Sequence, residues 1–223
     1  MHHMRHSRPE FKLEEILENL YLENIRVALL IANWNIGYNQ EMADSAKETL
    51  IKFGIRAENI DSYYTPGAFE MPYACQKLFE KDLEEDEDLE DDEILEIDDE
   101  TVSKRASSRL RRTNDRSVLN VHEDHEDDEN AEIGVWEQSH DSFTGYHAVI
   151  CFATIIRGET YHFEIVANES ARGIMDVMLD YSKPIINGVL TVNTEEQALA
   201  RASVTQDDKG KELALSCLQV LGL

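Results

Sequence analysis

The stretch Ala148 to Glu164, A-V-I-C-F-A-T-I-I-R-G-E-T-Y-H-F-E, decides the fold. Ala148 to Thr154 is apolar and rich in β-formers with no polar alternation. That is the pattern of a strand buried on both faces of a parallel sheet. The run breaks at Arg157-Gly158, and a glycine, a carboxylate, a hydroxyl and an imidazole follow before a helical pattern begins at about Phe163. A buried strand that runs into a polar turn at a helix N-terminus is where open α/β sheets hold their ligands. The exposed N–H groups of such a turn favour an anion. His162 supplies the side chain best suited to moving protons near neutral pH.

The same alternation of strand and helix extends in both directions. Upstream, Arg26 to Asn33 reads as a buried strand that ends at Trp34-Asn35. From Tyr38 to Phe53, the spacing of Met42, Ala46, Leu50 and Phe53 gives one apolar helical face, closed by Gly54. Ile60 to Thr65 is a second strand. Pro66-Gly67-Ala68-Phe69-Glu70-Met71-Pro72 forms a constrained turn, and Pro72 starts a helix to about Phe79. Downstream, Phe163 to Tyr181 is a helix and Pro184 to Leu190 a strand. Thr194 to Ala202 is a short helix with Glu195 and Glu196 in its first turn, where carboxylates favour the dipole. Lys209 to Leu221 is a terminal helix. These units predict a doubly wound parallel sheet of about four strands with helices on both faces.

One segment breaks this pattern. The 223-residue chain carries a formal net charge of −25. Between Glu80 and Asp141 there are 25 acidic and 7 basic residues, so −18 falls there and −7 on the rest. Asp82 to Glu100 is a carboxylate run, Ser103 to Arg116 a basic, Ser-rich island, and Val121 to Asn130 acidic again. Such a segment repels itself and has little to bury, which predicts disorder. The expected organisation is an N-terminal arm at 1–24 and one domain at 25–223, with an acidic insertion at about 82–142. Phe11 to Leu22, in the arm, reads as a short helix or extended segment. His122 and His125 read as part of a solvated acidic loop rather than as metal ligands, and the N-terminal histidines as a frayed terminus.

Composition excludes several classes of function. Neither part of the chain has the basic footprint that phosphate-backbone contact requires, so nucleic acid is not an expected partner. No segment is apolar for the length that spans a bilayer, and the N-terminus lacks the apolar core of a secretion signal. Cys75, Cys151 and Cys217 are odd in number and set in apolar surroundings. They read as buried, reduced thiols of a cytoplasmic protein.

Four motifs at strand ends carry a resemblance. N-W-N follows the first strand, P-G-A-F-E-M-P the second, and I-I-R-G-E-T-Y-H-F-E-I-V-A-N-E the third. N-G-V-L-T with E-E-Q-A-L-A-R-A and D-K-G closes the series. In this order they resemble the lumazine synthase family, over about Ile25 to Glu80 and about Gly145 to the end. The resemblance implies a flavodoxin-like fold and the riboflavin-pathway condensation of 5-amino-6-(D-ribitylamino)uracil with 3,4-dihydroxy-2-butanone 4-phosphate. It implies no metal and no cofactor. The acidic insertion is not part of the family pattern.

The resemblance also implies roles for particular residues. Trp34 would stack on the pyrimidinedione. The Ala68-Phe69-Glu70 turn and backbone groups of Thr154, Ile155 and Ile156 would bind the ribityl chain. Gly158, Glu159 and Thr160 would hold the phosphate with Arg201, and Lys209 would lie near it. His162 would be the general acid/base. Asn187 stands where many family members carry an aromatic residue, so it leaves an amide in the uracil pocket. The site is expected between neighbouring subunits of a homopentamer or larger shell, with Trp34 and His162 from one chain and Asn187 and Arg201 from the next. A non-catalytic flavin or lumazine carrier, a scaffold built on the acidic segment, and the related archaeal type of riboflavin synthase are the alternatives.

Overall fold

The first strand is apolar at every position, and it lies at the centre of the sheet. The computed structural model describes residues 21–80 and 145–223. Strand β1 (Val27–Ala32) is buried throughout, and it leads into helix α1 (Ile36–Phe53). Strand β2 (Ile60–Thr65) is followed by a turn and helix α2 (71–80). Beyond the gap come β3 (Ala148–Ile156), α3 (His162–Tyr181) and β4 (Ile185–Val192). Helices α4 (Glu195–Ala202) and α5 (Lys209–Leu221) complete the described chain. The four strands are all parallel and run in the order β2-β1-β3-β4. This is the expected α/β, flavodoxin-like, doubly wound sheet.

Alternation along β1 sorts the core into two layers. Val27, Leu29 and Ile31 pack with Met42 and Leu50 of α1 and with Cys217 and Leu218 of α5. Ala28, Leu30 and Ala32 pack with Met71, Cys75 and Phe79 of α2 and with Ile174 and Val177 of α3. The helices therefore cover both faces, and each fully buried leucine contributes about 1.5–3 kcal/mol. Helix α1 ends as expected at Gly54, whose φ is 113°. There the Gly54 N–H bonds to the Ile51 carbonyl and the Ile55 N–H to the Leu50 carbonyl, a Schellman closure. Gly210 lets α5 approach α1 closely, because a Cβ there would lie 2.1 Å from the Met42 carbonyl oxygen.

Several boundaries differ from expectation by one or two residues. Hydrogen bonds, which the letters do not show, set element ends. Helix α3 begins at His162 rather than at Phe163, so the imidazole opens the helix instead of preceding it. Helix α2 begins at Met71, whose N–H bonds to the Ala68 carbonyl. Strands β3 and β4 each run two residues further than expected, because Ile155 pairs with Thr191 and Ile156 with Val192. The three cysteines are buried and free. Burial pushes the Cys217 thiol up to about 12, and the Cys75 hydrogen bond together with burial raises Cys151. Both thiols stay protonated and serve as core. The arm, the basic island, His122, His125 and the acidic insertion at 82–142 lie outside the described residues, apart from the end of the arm. There Leu22–Asn24 forms one 3-10 turn.

Candidate active site

In an order of β2-β1-β3-β4, the chain reverses direction across the sheet between β1 and β3. The crevice outside their carboxyl ends is where such a sheet binds ligands. A pocket of about 500 Å³ lies there. Ala32, Trp34 and Asn35 supply one wall from the end of β1. Ala153, Thr154, Ile155 and Ile156 supply the floor from β3. Gly67 to Glu70, from the turn after β2, and His162, Ile165 and Val166, from the first turns of α3, complete it.

Backbone bonds bring these segments together. The Asn33 N–H donates to the Thr65 carbonyl at 2.8 Å and the Trp34 N–H to the Pro66 carbonyl at 3.1 Å, so the turn after β2 stays on β1. Gly67 fits under Trp34, since a Cβ there would lie 3.2 Å from the indole Cδ1. Two amides then join β1 to β3. Asn35, in a left-handed conformation with φ 61°, donates to the Thr154 carbonyl at 2.8 Å. Asn39 is fully buried. It donates to the carbonyls of Ala32 and Trp34 and accepts from the Thr154 hydroxyl, each at 2.8 Å. A buried amide so fully satisfied fixes the backbone on either side of Trp34. The indole is left 76% exposed over the pocket.

The α3 side is built differently. Its N-cap, Tyr161, makes no side-chain capping bond, so the first-turn N–H groups lack that partner and face outward with the helix dipole. His162 is exposed at this entrance. Arg157, the residue after β3, donates from Nε to Asn193 at 3.0 Å and pairs with Glu164 in the first turn of α3. That hydrogen bond holds the Glu164 carboxyl below its usual range. Glu164 is therefore an anion bound to Arg157, and His162 is the imidazole that lines the pocket. Among the described residues no cluster of three metal-ligating side chains occurs, and no helix is long and apolar enough to cross a membrane.

The pocket gathers most of the expected residues: Trp34, Ala68, Phe69, Glu70, Thr154, Ile155, Ile156 and His162 all line it. Gly158, Glu159 and Thr160 are exposed in the loop before it and are not among its lining. Arg201, Lys209 and Asn187 do not line it either. Arg201 bonds the Gln197 carbonyl of its own helix at 3.0 Å, Lys209 pairs with Glu212, and Asn187 is exposed on β4. Sequence reasoning missed Asn39, because a lone asparagine within an amphipathic helix reads as a surface residue.

Three of the four motifs contribute residues to this pocket, and sequence comparison shows the family of the whole chain. A family-level sequence profile described as 6,7-dimethyl-8-ribityllumazine synthase matches residues 24–89 and 131–223. The chain belongs to the lumazine synthase family. It is accordingly an enzyme of riboflavin biosynthesis, of the transferase class. A 6,7-dimethyl-8-ribityllumazine synthase of Ruthia magnifica subsp. Calyptogena magnifica is 28% identical over 214 residues, covering 96% of this chain and 94% of that protein. The same-named protein of Kosmotoga olearia is 27% identical over 203 residues, covering 91% and 90%. That of Sphingopyxis alaskensis reaches 56% over 78 residues, covering 35% of this chain and 55% of its own length. The lumazine synthase profile leaves residues 90–130 unmatched, within the expected acidic insertion.

Proposed function

We propose that the chain condenses 5-amino-6-(D-ribitylamino)uracil with 3,4-dihydroxy-2-butanone 4-phosphate to give 6,7-dimethyl-8-ribityllumazine, releasing phosphate and water. The observation that carries this reading is the joint lining of one pocket by Trp34, the Ala68-Phe69-Glu70 turn and His162. An exposed indole over a pocket offers a flat apolar face to a pyrimidinedione. The carboxylate of Glu70 and the main-chain groups at Thr154, Ile155 and Ile156 offer partners for a row of hydroxyls.

The chemistry is proton traffic. The substrate amine attacks the ketone carbon, and loss of water gives an imine. Phosphate then leaves, and ring closure expels further water. Each step needs a proton delivered or removed, and His162 is the acid/base within the pocket. The departing phosphate would meet Gly158, Glu159 and Thr160 at the uncapped start of α3, where N–H groups favour an anion.

Arg201, Lys209 and Asn187 fit this scheme through a second copy of the chain. The large apolar side chains beside the pocket are only partly covered, with Trp34 76%, Tyr161 72% and Phe69 52% exposed. A neighbouring subunit that covers them and brings its own Asn187 and Arg201 would close the site, in a homopentamer or larger shell. An arginine there would hold phosphate bidentately. The reaction needs no cofactor in this scheme. The buried protonated thiols accord with a cytoplasmic setting.

The test is to mix the purified protein with both substrates and follow the fluorescent lumazine. Formation of lumazine supports the reading. Binding of the uracil with no product points to a carrier on the same fold.

A further inference from the structure

We propose that Arg157 is a positioning residue that sets the loop 158–161 and His162 for the phosphate-bearing substrate. The proposal rests on the reading above, in which this loop meets the phosphate.

Three contacts converge on one guanidinium. The Arg157 backbone N–H still belongs to the sheet, donating to the Val192 carbonyl at 2.9 Å. Its Nε donates to the Asn193 side chain at 3.0 Å, across the end of β4. Its other arm pairs with Glu164, and its Cζ lies over the Phe163 ring, 4.1 Å from the centroid. Phe163 and Glu164 directly follow His162. The guanidinium thus ties the residue before the loop to the two residues after the imidazole. The loop between, Gly158 to Tyr161, is exposed, and its last residue caps α3 without a side-chain bond.

An isolated surface ion pair contributes little to stability. What distinguishes this one is that the same guanidinium also bonds Asn193 and lies over the Phe163 ring. A lysine presents a point charge and cannot bond Asn193, pair with Glu164 and keep its charge over the Phe163 ring at once. Asn193 extends the arrangement, since its N–H donates to the Gln197 side chain at 2.8 Å. The start of α4 is therefore held to the same support. Two of the three guanidinium nitrogens of Arg157, Nε and Nη1, are turned to Asn193 and Glu164, which fits a role in aiming the loop. Misplacing such a loop by about 1 Å should weaken chiefly the ligand the loop holds.

The experiment compares Arg157→Lys, Glu164→Gln and the double variant with wild type in two assays. One is steady-state turnover with each substrate varied. The other is equilibrium binding of inorganic phosphate by calorimetry, which needs no turnover. The expected result for either single variant is a rise of about tenfold in KM for the butanone phosphate, with a matching loss of phosphate affinity. KM for the uracil amine should stay within about twofold, and the double variant should lose no more than the worse single one. Should Arg157→Lys fold poorly by circular dichroism, Glu164→Gln carries the comparison. Phosphate binding equal to wild type in the variants overturns the proposal, as does an equal rise in both KM values or no phosphate binding by wild type. Phosphate binding that is lost in the variants, with no lumazine formed by wild type, leaves the clamp standing and removes the reaction assigned above.

Discussion

The β1–β3 side of the pocket and the α3 side are held by different means. On the first, Asn35 and Asn39 are locked into main-chain carbonyls, and Asn39 is wholly buried. On the second, the loop ahead of His162 is anchored by Arg157, whose side chain is 44% exposed, and Glu164, at 31%. A buried, fully satisfied amide such as that of Asn39 is costly to disturb, whereas exposed charges yield easily. The β1–β3 side, where we propose that the uracil binds, is thus preformed within one chain. The α3 side, where we propose that the phosphate binds, keeps only its loop in the pocket's neighbourhood, while Arg201 and Lys209 make contacts within their own helices.

The largest effect should come from the group that lies between the two sides. His162→Ala should slow lumazine formation by about 10²–10⁴-fold, read from kcat, because it removes the proposed proton-transfer group. Stability should barely change, as the side chain is exposed. Asn39→Leu should break the first side. It leaves the Ala32 and Trp34 carbonyls and the Thr154 hydroxyl without their partner. A loss of about 2–4 kcal/mol in urea unfolding is expected. An unchanged midpoint would show that the amides are not what holds that wall.

Trp34→Ala should separate binding from stability. The indole is exposed, so unfolding should shift by less than about 0.5 kcal/mol. KM for the uracil amine should nevertheless rise by about tenfold, the value of one aromatic stack. The smallest effect concerns Glu164. Its carboxyl is held below the usual range by Arg157, so the pair contributes fully at pH values above that range. The contribution fades as pH falls through the lowered value. Wild type should therefore lose a slight melting-temperature advantage over Glu164→Gln on acidification. An advantage that grows instead would mean the pair is not the source.

How much of this was legible in the letters follows from the same contrast. Trp34 and His162 stood out because each is a distinctive side chain at a strand end, where period and composition change together, whereas Phe69 was legible only through its motif. The two-sided burial of β1 and β3 was legible because neither strand alternates. Asn39 was not, since its partners are carbonyls of residues that look ordinary in sequence. The clamp of Arg157 was equally hidden. Asn193 and Glu164 reach it from two other elements, and spacing along the chain says nothing of that meeting. Arg201, Lys209 and Asn187 were legible only as motif members, and one chain does not bring them to the pocket.

The central claim is that a complete site takes His162 from one subunit and Arg201 from the next. Subunit mixing tests it most directly. His162→Ala and Arg201→Ala proteins are assayed alone, then dissociated together, reassembled and assayed again. Shared sites predict that the mixture regains roughly a quarter of wild-type activity, because random neighbours restore some intact pairs. A mixture no more active than the average of its two components would contradict the account.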